Sequence, residues 1–346
     1  MKNILVVRND KIGDFMLAWP SFAMLKLSLP EAKVTALVPR YTAALAEMCP
    51  WIDDVVIDPG KKGSKEDQRE LISTLKSKGF DGVICLFSDT YNALTMWRAR
   101  IPFRLAPATK FAQVFYNHRV VQRRSRSEKP EYQYNLDLIR AFLAKQGKPA
   151  VEPSAPYLQF ADSALTKQKE KLAAQLSVDA DKHMVFIHAG TGGSANALTL
   201  PQYVSLMALI SADYPVEFIL TAGPGEGEHA ERLKKLAEEA GIISHVYDKN
   251  DGLKDFCQSI ACASLFIAGS TGPLHIAAAI DVPTIGFFPS KRSSTPLRWL
   301  PLNSDGNHLG FCPPEKAGES ADLSLIDINK NYESIQQWMK EKNLFN

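Results

Sequence analysis

The stretch Met1-Lys2-Asn3-Ile4-Leu5-Val6-Val7-Arg8-Asn9-Asp10-Lys11-Ile12-Gly13-Asp14 decides the fold. Ile4 to Val7 is an unbroken apolar run rich in β-branched residues. That is the pattern of a strand buried on both faces of a parallel sheet, whereas a half-exposed strand alternates. Polar and charged residues end the run at once, and a helical apolar stretch follows from about Phe15 to Leu29. Pro20 cannot donate to a helical ladder, so that helix starts near Trp19 or kinks there. No small-residue cleavage site follows the run, so it is read as a first strand and not as a signal peptide.

The alternation continues outward. Strands are expected at Val34 to Val38, Val55 to Ile57 and Val83 to Phe87, with helices near Tyr41 to Met48 and Glu66 to Lys78. Strands joined by helices of this length build a parallel sheet of βαβ units. From Ile101 to Pro130 the periodicity fades and basic residues collect, among them Arg119, Arg123, Arg124 and Arg126. A helix near Tyr132 to Lys145 closes this half. Residues 147–156 then carry three prolines in ten positions and read as a linker. The rhythm restarts with strands at Met184 to Ile187, Val216 to Thr221, Ile243 to Tyr247, Leu265 to Ala268 and Thr284 to Phe288. Helices are expected near Pro201 to Ser211, Glu226 to Ala240, Leu253 to Cys262 and Pro273 to Ile280. The fold class is α/β: two doubly wound domains in tandem, 1–155 and 156–325, with a cleft between them. An amphipathic helix within 326–346 is expected to turn back onto the first domain.

Composition narrows the function classes. The chain has 346 residues, a formal net charge of +2, 45% hydrophobic and 23% charged residues, as in ordinary globular proteins. The near-neutral balance removes any bulk electrostatic case for nucleic acid. No apolar run reaches the roughly 18–20 residues of a membrane span. Five cysteines, odd in number and without a CxxC pair, argue against a disulfide framework or zinc site and fit a reducing cytoplasm.

In open parallel sheets ligands bind beyond the carboxyl ends of the strands. Three strand-to-helix turns stand out there: Arg8 to Asp14, His188-Ala189-Gly190-Thr191-Gly192-Gly193-Ser194, and Gly269-Ser270-Thr271-Gly272-Pro273-Leu274-His275. Glycines allow close backbone approach, hydroxyls donate, and a helix start offers unpaired N–H groups to phosphate. The last two turns together would make a diphosphate cradle; each alone could equally be a tight βα turn. A P-loop and a GxGxxG fingerprint after the first strand are both missing, which counts against a P-loop NTPase and a standard dehydrogenase. Asp14 is either a general base at a cleft or an N-cap. His275 is either an ordinary helix histidine or a ligand contact. Glu226 and Glu228, after Gly223-Pro224-Gly225, either bind ribose hydroxyls or are first-turn helix acids.

Together these residues resemble the ADP-heptose:lipopolysaccharide heptosyltransferase family, glycosyltransferase family 9. The shared features are a first turn ending Lys11-Ile12-Gly13-Asp14, a H-x-G turn at His188-Ala189-Gly190, and Ser270-Thr271-Gly272-Pro273-Leu274-His275 before an alanine-rich helix. The resemblance implies a GT-B fold: two Rossmann-like domains facing a central cleft, the first binding acceptor and the second nucleotide sugar. It implies inverting transfer without an essential bound metal. Asp14 is then the general base, and Gly190, Thr191, Gly192, Gly193, Ser194, Ser270, Thr271, Gly272 and His275 bind the donor. Gly223 and Glu226 lie near the nucleotide ribose. The donor is ADP-heptose or another nucleotide sugar. The acceptor is lipopolysaccharide core (Kdo-lipid A or heptose), met by Lys11, Arg119, Arg123 and Arg124 at the cytoplasmic face of the inner membrane. Two positions depart from the family. The Lys-Arg-Trp-Pro that often follows the H-x-G turn is replaced by Ser194-Ala195-Asn196-Ala197-Leu198-Thr199-Leu200-Pro201, and Ser270 replaces an acid. Leaving-group charge would then rest on helix N-termini, helped by Lys291 or Arg292. An epimerase-like enzyme of the same fold and a degenerate sugar-nucleotide binder fit the same residues.

Overall fold

A computed structural model describes residues 1–179, 181–193 and 196–345. The chain divides into two compact units, Met1–Tyr157 and Leu158–Asn346. In the first, six parallel strands are β1 (Asn3–Val7), β2 (Lys33–Pro39), β3 (Asp54–Asp58), β4 (Gly82–Cys85), β5 (Phe103–Pro107) and β6 (His118–Val120). Their spatial order is β3-β2-β1-β4-β5-β6. In the second they are β7 (His183–His188), β8 (Val216–Thr221), β9 (Ser244–Tyr247), β10 (Leu265–Gly269), β11 (Thr284–Phe287) and β12 (His308–Phe311), ordered β12-β11-β10-β7-β8-β9. Each sheet therefore reverses direction of growth once, between β1 and β4 and between β7 and β10. Those reversals are where doubly wound sheets open a crevice for ligands.

The local causes are legible. Ile4, Leu5, Val6 and Val7 are wholly buried, as a central parallel strand requires. Two helices follow β1, Ile12–Met16 and Trp19–Ser28, and Pro20 sits in the first turn of the second, where its missing N–H costs nothing. A reciprocal cap between Thr199 and Gln202 starts the helix Leu200–Asp213.

The segment 101–130 holds more structure than its pattern predicts. It supplies β5 and β6, and β5 hides its one cation by tying the Arg104 guanidinium to the carbonyls of Phe115 and Ile101. A cation or histidine inside strands this short, Arg104 in β5 and His118 and Arg119 in β6, leaves no apolar run to read. The same holds for β12. The final helix, Ile328–Glu341, spends its apolar face inside the second unit. Ile335 and Met339 join that unit's core, and Tyr332 donates to the carbonyl of Leu209 and to Asp213. Among the described residues no helix is long and apolar enough to cross a membrane.

Candidate functional site

In the first unit the carboxyl end of β1 delivers Arg8, only 2% exposed, into a ring of acceptors. Its Nε donates to Asp10 at 2.9 Å, Nη1 to Glu131 at 3.1 Å and Asn135 at 3.2 Å, and Nη2 to Asp14 at 2.5 Å. Glu131 and Asn135 lie on the buried face of the helix Glu131–Lys145, which brings two polar positions into an otherwise apolar stripe. Asp14 is not a cap. Lys11 is the N-cap of the helix Ile12–Met16 and makes no capping bond, while Asp14 lies in the first turn with its carboxylate fixed by Arg8. Burial pushes the carboxyl of Asp10 up to about 6, Arg8 pulling it down and the charge of Asp14 adding to the rise. Around this ring, Asn9 and Asn92 bond each other reciprocally, and Tyr91 donates to Asp58 at 2.6 Å.

The sequence groups Arg119, Arg123, Arg124 and Arg126 as one basic set, and the structure separates them. Arg124 turns inward and donates to Glu131 at 2.6 Å, completing the cluster around Arg8. Arg119 stands exposed on β6, Arg123 is exposed, and Arg126 lies 3.5 Å from Glu128. Lys11 is exposed. The roles of Arg8, Asp10 and Glu131 were not readable in advance, because 123 residues of sequence separate Arg8 from Glu131.

In the second unit the two glycine-containing turns leave adjacent strands, since Ala268 of β10 is in register with His188 of β7. The stretch after β7 runs across Gly269, where a Cβ would fall 2.5 Å from the carbonyl oxygen of Asn196. Glu226, just before the helix Gly227–Glu239, closes the other side. Its Oε1 accepts from the Gly192 amide at 2.7 Å and its Oε2 from the Gly223 amide at 3.0 Å. A Cβ on Gly190 would sit 2.2 Å from that carboxylate, so the glycine of the H-x-G turn is a requirement of Glu226. Burial opposes the charge on Glu226, but the amides of Gly192 and Gly223 and the nearby His188 outweigh it and hold the carboxyl below its usual range. His188 is itself buried, bonded through Nδ1 to Thr221 at 3.0 Å, and burial holds it below the ordinary histidine value. Gly193 donates to the hydroxyl of Thr191 at 3.2 Å, and Ser194 lies outside the described residues.

The turn after β10 is different. Thr271 caps the helix Gly272–Ile280 by position, yet its hydroxyl makes no capping bond and, though buried, has no partner among the described residues. The first amides of such a helix have no intrahelical acceptor. A hydroxyl and helix-start amides are thus available to an anion here, while the amide of Gly192 is already engaged. Ser270 is half-buried beside them. His275, one turn in, is 2% exposed, and its Nδ1 has no partner among the described residues. Arg292 lies 3.6 Å from Glu319, both exposed. Among the described residues no group of three His, Cys, Asp or Glu side chains gathers as metal ligands would.

A profile of the family described as glycosyltransferase family 9 (heptosyltransferase) matches residues 68–323. A Haemophilus influenzae protein provisionally named a glycosyltransferase is 51% identical over 340 residues, covering 98% of this chain and 97% of that one. Among solved structures, a family 9 glycosyl transferase from Veillonella parvula superposes with a TM-score of 0.81 at 15% identity, covering 98% of this chain and 97% of its own. An ADP-heptose lipopolysaccharide heptosyltransferase II from E. coli gives 0.76 at 18% identity, covering 99% and 100%. At these identities the structural likeness is one of fold, the GT-B architecture of two doubly wound parallel sheets.

Proposed function

The chain belongs to glycosyltransferase family 9, the heptosyltransferase family, and from that premise we propose an inverting transfer of heptose from ADP-heptose to the inner core of lipopolysaccharide, at a Kdo-lipid A or heptose acceptor. Membership supplies the glycosyl transfer and the nucleotide-sugar donor; the sugar, the base and the acceptor are the proposal. The E. coli structure that resembles this chain is of an ADP-heptose lipopolysaccharide heptosyltransferase II and supports that choice of donor.

The observation that carries the reading is the pair of ligand groups on strands that flank β7. On one side the open Thr271 hydroxyl and the start of the helix Gly272–Ile280 suit a diphosphate. On the other the Glu226 carboxylate, set by two amides, retains lone pairs for ribose hydroxyls. Asp14 takes the proton of the acceptor hydroxyl as its oxygen bonds the anomeric carbon. The bond from that carbon to the diphosphate breaks, and its electron pair leaves with the nucleotide. One displacement inverts the configuration. No step is assigned to a metal ion, and the leaving charge falls on the helix start. Lys11, Arg119 and Arg123 are offered to an anionic acceptor, and a lipid-linked acceptor would place the reaction at the cytoplasmic face of the inner membrane.

A different nucleotide sugar is the second reading, favoured by Ser270 where the family often has an acid and by the absence of a cation from residues 194–201. Donor turnover across a panel of nucleotide sugars, with and without Kdo-lipid A, tests both. Nucleotide release from ADP-heptose only when acceptor is added supports the first. Acceptor-dependent release from another donor supports the second. Acceptor-independent turnover would point to epimerase-like chemistry, and binding without turnover to a sugar-nucleotide binder.

A further inference from the structure

Residues 90–127 contain eight lysines and arginines and no acidic residue. Besides Val121, which is 79% exposed just beyond β6, three large apolar side chains in that stretch face water: Phe111 is 71% exposed, Val114 57% and Trp97 51%. They belong to two packed elements, the end of the helix Thr90–Arg98 and the 3-10 helix Phe111–Phe115. The rings are linked through Phe115, whose centroid lies 5.9 Å from that of Trp97 and 6.2 Å from that of Phe111, both edge-on. This is one apolar patch and not three scattered residues.

Arg98, Arg100 and Lys110 adjoin it in the chain, are exposed, and enter no ion pair among the described residues. Arg100 and Lys110 hold φ of 57° and 47°, left-handed values that persist in non-glycine residues only where the surroundings fix the backbone. The cations are therefore presented beside the rings by a constrained chain. Exposed aromatic and aliphatic groups bordered by unpaired lysine and arginine match the region of a lipid bilayer where acyl chains meet anionic headgroups. A protein partner of ordinary composition would leave this excess of positive charge without counterions. We propose that this patch docks the protein on an anionic lipid surface, with Trp97, Phe111 and Val114 entering the headgroup layer and Arg98, Arg100 and Lys110 meeting lipid phosphates. The proposal needs neither donor nor acceptor, so it stands or falls separately from the transfer reaction.

The test is flotation of the full chain with phosphatidylcholine vesicles, with or without an equal share of phosphatidylglycerol. The wild type should float with the anionic vesicles only, and less so as salt shortens the Debye length. Phe111→Ser with Val114→Ser should lower the partition coefficient by about tenfold or more, and Arg100→Ser with Lys110→Ser by a similar factor while flattening the salt dependence. All four positions are exposed, and unchanged thermal unfolding would show that each pair folds. Trp97→Phe should keep binding and lose the blue shift of tryptophan emission that anionic vesicles induce. Absence of flotation, or flotation undiminished in both pairs, would overturn the proposal. So would self-association that the apolar pair abolishes in a protein that ignores vesicles, because the patch would then be a protein interface.

Discussion

Arg8 donates from Nη2 to Oδ1 of Asp14 across 2.5 Å, and the same guanidinium holds Asp10, Glu131 and Asn135. The residue that aims Asp14 is thus also the counter-ion for a buried group of acids. Removing one partner of a buried ion pair costs far more than the pair contributes, because it leaves charge without compensation. Arg8→Met should lower stability by about 3–5 kcal/mol, read as a fall in the urea midpoint at neutral pH. A midpoint equal to that of the wild type would mean that Arg124 alone neutralises the cluster.

Asp14→Asn has a different expectation. The amide is nearly the same size and still accepts from Arg8 through its carbonyl oxygen, so folding and donor binding should survive. Transfer should fall by about 10²–10⁴-fold, the scale of losing a general base. Single-turnover transfer near the wild-type rate would reduce Asp14 to a structural partner of Arg8.

At the donor turns the question is whether Glu226 needs its glycines. Gly190→Ala would place a methyl 2.2 Å from the carboxylate and push Glu226 off the amides of Gly192 and Gly223. Nucleotide affinity, measured by calorimetry, should drop by about ten- to a hundredfold, the scale of one lost hydrogen bond to a charged group. Glu226→Gln should lose less, since it keeps the shape and one acceptor. If Gly190→Ala binds nucleotide as tightly as the wild type, the carboxylate has room to move and Glu226 does not set the ribose position.

Much of this was legible in the chain. Ile4 to Val7 and Leu265 to Ala268 are unbroken apolar runs that declare buried parallel strands, and the glycine and hydroxyl turns fall at the sheet reversals because only there do neighbouring loops diverge. Two edge strands, β6 and β12, were not legible: β6 has three residues, and one of them is Arg119. The partnership of Arg8 with Glu131 was equally hidden. A buried salt bridge leaves no local pattern, and the only trace is that Glu131 and Asn135 occupy the stripe continued by Leu138, Ile139 and Phe142. The glycines and hydroxyls of the turn at Thr191 to Ser194 point, in sequence, to a phosphate site. Its amides could not be known to serve Glu226, because that contact spans 34 residues and depends on how β7 and β8 align.

The second unit also contains a pair of neutral histidines whose burial should set its response to acid. His308 bonds Thr284 through Nδ1 at 2.8 Å, and burial pushes it down to about 4. His275 is pushed down by burial, with the charge of His308 adding, to about 3. In the unfolded chain both titrate near about 6.5. Between these values the unfolded state binds more protons than the folded one, so stability rises with pH there and is lost as pH falls from 6.5 toward 4. Asp10, pushed up to about 6, acts in the opposite sense, because it holds its proton more tightly when folded. The whole curve therefore does not isolate the histidines, and a variant must. His308→Asn keeps an amide atom near the position of Nδ1, for Thr284, and removes one titration. Its urea midpoint should fall less than that of the wild type between pH 7 and pH 5. Curves that run parallel across that window would mean that His308 gains its proton as easily in the folded protein as in the unfolded chain.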